Sequence, residues 1–260
     1  MGKPKKIVHV LGAMNIGGVE SWLMTILRNA NREQYVHEFI VHNGEKAYFD
    51  DEIKALGTKK YVCSIDNMVT YPVRLFKLLR HIKPDVVHSH VHNFSGLVLM
   101  VAAMAGVRTR ISHSHSDTRL VESVSKSTIR EAYLGMMNAL IDRYSTSNIA
   151  VSEKAAISLY GKDWQSDSRN KIIYCGVDYN RFKNVKCLND YRDELSIPKD
   201  AIVIGHVGRI EKPKNHVFMI ELIKALREKS DKYYLVLVGD GSLRESVENL
   251  TKENGVDPYV

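Results

Sequence analysis

Apolar residues along the chain come in two textures. Short unbroken runs of aliphatic and β-branched residues, each closed by glycine, histidine or a polar cluster, read as buried strands of a parallel sheet. They lie at 7–12 (IVHVLG), 37–41, 84–90 (PDVVHSH), 110–114, 144–151, 202–207 and 233–238, with a shorter run at 61–65. Between them the apolar positions recur at helical spacing. This predicts helices over 19–30, 71–82, 94–105 and 129–141, a helix opening at 153 behind Ser152 as its cap, another from about 215, and one over 243–254 behind Ser242. Trp22, Leu23, Ile26 and Leu27 are expected in the core from the first helix. Val73, Leu75, Phe76, Leu78 and Leu79 form the apolar side of the second, and Tyr133, Met136, Met137 and Leu140 that of the fourth.

Strand and helix alternate throughout, which calls for an α/β fold with a parallel, doubly wound sheet. From 183 to 200 the sequence turns polar and reads as a connector. The order strand, loop, helix then restarts: IVIGHVGRIEKPKNHVFMIELIKAL repeats the design of IVHVLGAMNIGGVESWLMTIL. Two Rossmann-like domains are expected, over 1–182 and 183–260. The second shows only two strands and two helices, short of the ~100–150 residues of an ordinary domain. It is therefore expected to be partial, and the protein truncated at its C-terminus.

Composition narrows the function classes. The protein has 260 residues, 44% of them hydrophobic, and a formal charge of +7. A moderate positive balance suits phosphorylated ligands or an anionic surface. No long basic block follows the short KPKK start, so nucleic acid is not expected as a partner. The 3 cysteines are too few and wrongly spaced for a disulfide framework or a thiolate zinc site. No leader is visible and no run reaches the ~18 apolar residues of a membrane span. A cytoplasmic protein is expected. The basic amphipathic helix at 71–82 also admits a peripheral contact with the inner face of a membrane.

Three stretches carry candidate chemistry. In 202–216, Gly208 lets backbone approach a ligand. Arg209 and Lys214 flank a strand-to-helix turn whose free N–H groups attract anions, a set suited to a diphosphate; the bland alternative is a solvated basic loop. After the first strand, Gly12, Gly17 and Gly18 form a glycine loop. It lacks the Lys-Ser/Thr of a P-loop and the acidic residue that completes a dinucleotide fingerprint, so it is not an evident ATPase or NAD element. Histidines close two further strands: His88, His90 and His92 on one, His113 and His115 on the other. They read either as metal ligands, with only lone Asp117 as an acidic companion, or as hydrogen-bonding groups facing a ligand. The polar segment 116–126, with Arg119, is expected to face an acceptor.

Taken together, GG at 17–18, SHSH, VSE at 151–153, GVD at 176–178, GR-x4-K and GDG at 239–241 resemble, in order, family 4 retaining glycosyltransferases of the GT-B fold. The resemblance covers nearly the whole sequence. It implies a twin-Rossmann GT-B-like architecture and transfer of a sugar from a nucleoside-diphosphate sugar, UDP-linked, to a sugar or lipid-linked acceptor in polysaccharide or glycolipid biosynthesis. It implies no cofactor and no metal. Carried over residue by residue, Arg209 and Lys214 hold the diphosphate, Gly17 and Gly18 face the donor phosphate, and His115, with His113 second, contacts the sugar or acceptor. From the residues themselves, Gly208 and the GDG turn of Gly239 and Gly241 are expected to approach the nucleotide, the alternative for the GDG turn being simply a tight turn. Cys175 stands where the family has asparagine, and Phe182 is expected to pack the linker. The family's E-x7-E motif has no counterpart up to Val260. Two rival readings are a metal-dependent hydrolase built on the histidines and a non-catalytic module that binds anions or membranes.

Overall fold

The computed structural model describes residues 2–119, 127–183 and 191–260, the side chains of 181 and 182 excepted. The expected packing of Phe182 and the 120–126 part of the acceptor segment lie outside the described residues. The protein divides into two compact units, Met1–Asn180 and Arg181–Val260.

In the first unit, seven parallel strands form one sheet in the order β3-β2-β1-β4-β5-β6-β7. They are β1 (Lys5–Leu11), β2 (Tyr35–Val41), β3 (Lys60–Val62), β4 (Val86–Ser89), β5 (Thr109–Ser114), β6 (Ser147–Ala150) and β7 (Asn170–Ile172). The backbone winds outward from β1 to β3 and then returns to β4 on the other side of β1. This reversal is the switch point at which doubly wound sheets open a crevice at their carboxyl ends. β4 continues past its last ladder pair, with the His90 amide donating to the Val10 carbonyl at 2.9 Å.

Side chains alternate faces along each strand. Val8, Val10, Ile40 and Val87 point to one layer, packed by Tyr71, Leu75 and Leu79 of α3 (Tyr71–Ile82) and by Val98, Leu99 and Ala102 of α4 (Ser95–Met104). Leu11, Phe39 and Val41 point the other way. They meet Leu23, Met24 and Leu27 of α1 (Gly18–Asn29), with Ile53 of the short α2 (Asp50–Ala55) beside them. The next helix, α5 (Thr128–Tyr144), lies so close to α4 that a Cβ on Gly96 would run into the Met137 carbonyl. Helix α6 (Glu153–Tyr160) begins as expected, the Ala155 amide donating to Ser152 Oγ at 3.2 Å, and stops at Gly161 with φ 87°.

Several expected core positions are corrected. Val73 is exposed because the buried face of α3 is Tyr71, Leu75, Leu79 and Ile82. On α5 only Met137 and Ile141 are buried, and Tyr133 and Met136 face outward. On α1 the half-buried Trp22 and Ile26 give way to Met24. Tyr144, read as the start of a strand, closes α5 instead.

The second unit pairs β8 (Ile202–Val207) in parallel with β9 (Tyr233–Val238). Its core is Ile210, Leu235 and Val256 with Ile220 and Ile223 of α9 (His216–Arg227) and Val247 of α10 (Arg244–Glu253). Two short helices, α7 (Asn180–Lys183) and α8 (Tyr191–Glu194), precede it. Ser242 does not cap α10; its hydroxyl lies 3.0 Å from Glu211 Oε2. Among the described residues no helix is long and apolar enough to cross a membrane.

These layers set a stability contrast on one helix. Leu75→Ala, at a fully buried position, is expected to cost about 2–5 kcal/mol, whereas Val73→Ala should stay within about 0.5 kcal/mol. Paired denaturant titrations of the two variants check this.

Candidate active site

The first site is a row of imidazoles on one face of the large sheet. Register puts Ile7 beside His37, and His9 beside both Phe39 and His88, while Ile111 sits beside His88. Neighbours in parallel register share a face, and so do residues two apart. His37, His9, His88, His90, His113 and His115 are therefore all brought to the α1 side. The rings bond to one another. His37 Nδ1 lies 2.9 Å from His9 Nε2, His9 Nδ1 3.1 Å from His90 Nε2, and His90 Nδ1 2.9 Å from His115 Nε2. His88 Nε2 lies 3.0 Å from His113 Nδ1. His9 and His90 each engage both nitrogens, so each donates at one and accepts at the other. The tautomers from His37 to His115 are thus set in concert.

Burial keeps these rings neutral. Loss of water pushes His9 and His113 down to about 3 and His115 to about 4, with neighbouring histidines adding to the effect. His88 and His90 are held well below the usual range for the same reasons, burial first. Trp22 closes the row from above, its ring centroid 5.2 Å from His113, 5.7 Å from His115 and 6.2 Å from His90, all edge-on. The helical spacing of Trp22 suggested core and concealed this role.

Around the row lie His92, Asp117, Arg119 and the glycine loop, which the sequence singled out, and His42, which it did not. His92 takes φ 49°, a rare left-handed conformation for a non-glycine residue, just beyond β4. Its ring bonds Asn93 Oδ1 and reaches Thr118 Oγ1 at 3.3 Å. His42, at the end of β2, lies 2.9 Å from the Tyr71 hydroxyl and is pushed by burial down to about 4. Arg119 bonds back to Asp117, and those hydrogen bonds draw the carboxyl down to about 2. The glycine loop differs from a bare anion cradle: a Cβ on Gly17 would run into the Glu20 carboxylate, which folds over the start of α1, while the space around Gly18 is open. A surface concavity of about 540 Å³, lined by Asn138, Asp142, Asn148 and Trp164 among others, includes none of these histidines.

The second site is the pair of loops at the carboxyl ends of β8 and β9. The Ile210 amide donates to the Asp240 carbonyl at 2.9 Å, and the Leu243 amide to the Ile210 carbonyl at 3.1 Å. A Cβ on Gly239, with φ 152°, would collide with the Gly208 carbonyl, and one on Gly241 with that of Ile210. The GDG turn is glycine-rich because another backbone lies against it. Arg209 and Lys214 project from this platform into solvent, and neither has an ion-pair partner among the described residues. Lys214 Cε packs against Gly208, at 3.7 Å from where a Cβ would sit. Asn215, left-handed at φ 52°, starts α9 without capping it through its own amide group, leaving the first backbone N–H groups of that helix open. Gly239→Ala should destabilise the second unit by about 1–3 kcal/mol, read as faster amide hydrogen exchange in β8 and β9 with the first sheet unchanged.

Residues 16–181 match Glycosyltransferase Family 4 and residues 189–259 match the glycosyl transferases group 1. A putative glycosyltransferase, EpsF, of Bacillus subtilis is 28% identical over 97% of this protein and 66% of its own length. The capsular polysaccharide biosynthesis glycosyltransferase CapH of Staphylococcus aureus is 30% identical over 86% of this protein and 59% of its own length. The sequence thus spans under two thirds of either relative. In fold, the Anabaena protein HepE, solved in complex with UDP-glucose, superposes with a TM-score of 0.75 at 17% identity, over 98% of this protein and 67% of that one. The protein belongs to glycosyltransferase family 4, with the GT-B-like α/β fold of such neighbours.

Proposed function

We propose that the protein transfers a sugar from a nucleoside-diphosphate sugar, UDP-linked, to a sugar or lipid-linked acceptor, with retention, in polysaccharide or glycolipid biosynthesis. The observation that carries the reading is the pair Arg209 and Lys214. Among the described residues these two cations have no ion-pair partner, and they stand at the uncapped start of α9, where helix amides and dipole also favour anions. When a glycosidic bond to a diphosphate breaks, negative charge grows on the leaving phosphate oxygens. Fixed cations at that point stabilise the transition state more than the ground state. In this reading Arg209 contributes a forked guanidinium and Lys214 a point charge, and Gly208 keeps the approach open. Gly239 and Gly241 act by bringing the two loops together. Gly17 and Gly18 offer backbone to the donor. His115, neutral and half-buried, orients the sugar by hydrogen bonding, and His113 supports it.

The family match favours a transferase over a metal hydrolase. It equally disfavours a module without catalysis. The donor class is supported by the HepE complex with UDP-glucose, and the pathway by the capsular role in the name of the Staphylococcus relative. Retention is what the resemblance implies. Arg209→Ala and Lys214→Ala should each lower turnover by ~10²-fold or more, followed as UDP released from a UDP-sugar in the presence of a lipid-linked acceptor. Each should also weaken UDP binding in calorimetry. Unchanged turnover and binding in both variants would remove the assigned role.

A further inference from the structure

The imidazole row holds more nitrogen donors than sugar recognition requires. Each of His90, His113 and His115 offers one ring nitrogen, and these nitrogens lie within 4.8 Å of one another. His113 is 1% exposed, and its Nε2 has no hydrogen-bond partner. An orphaned nitrogen in so buried a ring carries the cost of lost hydration without a bond in return. Its other nitrogen is fixed by His88, 3.0 Å away. A metal-ligating histidine commonly has its second nitrogen oriented by a neighbour in this way. His90 and His115 meet at 2.9 Å through a shared proton.

We propose that His90, His113 and His115 form a binding site for a borderline-soft divalent cation, of the Zn²⁺ class. Tetrahedral zinc with Zn–N near 2.0–2.1 Å spaces its ligand nitrogens about 3.3 Å apart. At that spacing the ion sits beside the line joining the two nitrogens, so to admit it the His90 and His115 rings must turn as well as separate by a few tenths of an ångström. With the shared proton on His115 Nε2, it moves to His115 Nδ1, while His90 keeps its Nε2 proton directed at His9 Nδ1, so all three ligands stay neutral. Nδ1 of His115 remains available to other partners. The donor set decides the ion: three imidazoles and no carboxylate suit Zn²⁺, Ni²⁺ or Cu²⁺, whereas Mg²⁺ and Ca²⁺ require oxygen. The site is therefore distinct in chemistry from any phosphate-bound magnesium. Entry is from the carboxyl ends of β4 and β5, where His90 and His115 are only half-buried. His9, His88 and His90 form a second group within the same spacing, but among them no buried nitrogen is left without a partner as His113 Nε2 is.

The site is tested on untagged protein, stripped with chelator and titrated with Zn²⁺ or Co²⁺ without nucleotide or acceptor. About one equivalent should bind. Co²⁺ should give visible ligand-field bands and quench Trp22, which touches all three rings edge-on. His113→Asn and the less buried His115→Asn should each weaken binding by about 10–100-fold. His206→Asn, in the second unit, should leave it unchanged, with circular dichroism confirming that every variant is folded. The assignment is overturned if no equivalent binds, if the two ligand variants bind like the parent, or if His206→Asn abolishes binding. Because no sugar donor is present, failure here leaves the proposed transfer reaction standing, and loss of transferase activity elsewhere leaves this site standing.

Discussion

Six imidazoles share one face of a parallel sheet, and burial denies them charge. That constraint organises the first unit. A ring that cannot ionise must still satisfy two nitrogens, and within the layer the nearest partners are other rings. Three bonds from His37 to His115 therefore cross β2, β1, β4 and the end of β5. They join strands that already pair through backbone, and they fix which way each ring faces. The opposite face has no such demand. It packs Val8, Val10, Ile40 and Val87 against α3 and α4 in ordinary apolar contact.

The row lies where the strand order reverses. β1 and β4 are neighbours, although three helices and two strands separate them in the sequence. The glycine loop after β1 and the histidines at the end of β4 consequently open at the same end of the sheet. α1 covers the row with Trp22, an aromatic edge well suited to imidazole faces. The second unit reaches a comparable result by other means. There two loops are pressed together, with carbonyls of Gly208 and Ile210 seated where side chains at 239 and 241 would be. The resulting platform has a buried Ile210 on one side and exposed cations on the other.

Much of this was legible in the residue order. The period of apolar positions located β9 and α3 to the residue and most other elements to within a few. The glycine loop, the strand-end histidines and the GR-x4-K turn were all placed at the carboxyl ends of strands, as the rules of parallel sheets require. The misses share a cause. Val73, Tyr133 and Met136 are apolar and correctly spaced, yet a helix buries only the stripe its neighbours cover. Ser242 has capping chemistry, but Glu211 lay within reach and took its hydroxyl.

What the sequence determined by itself was therefore local: strand against helix, alternation of faces, positions where glycine or a cation stands at a turn, and through them the family. Only the tertiary structure decided which histidines touch. His9 and His37 lie far from the SHSH segment in the sequence, and no spacing rule links them to His90. Register did so, since a one-residue slip of β1 would have turned His9 to the other face. The same holds for the glycines of the GDG turn, whose reason is a carbonyl some thirty residues earlier. Contacts of that kind depend on how the strands are paired, and pairing is a property of the folded sheet.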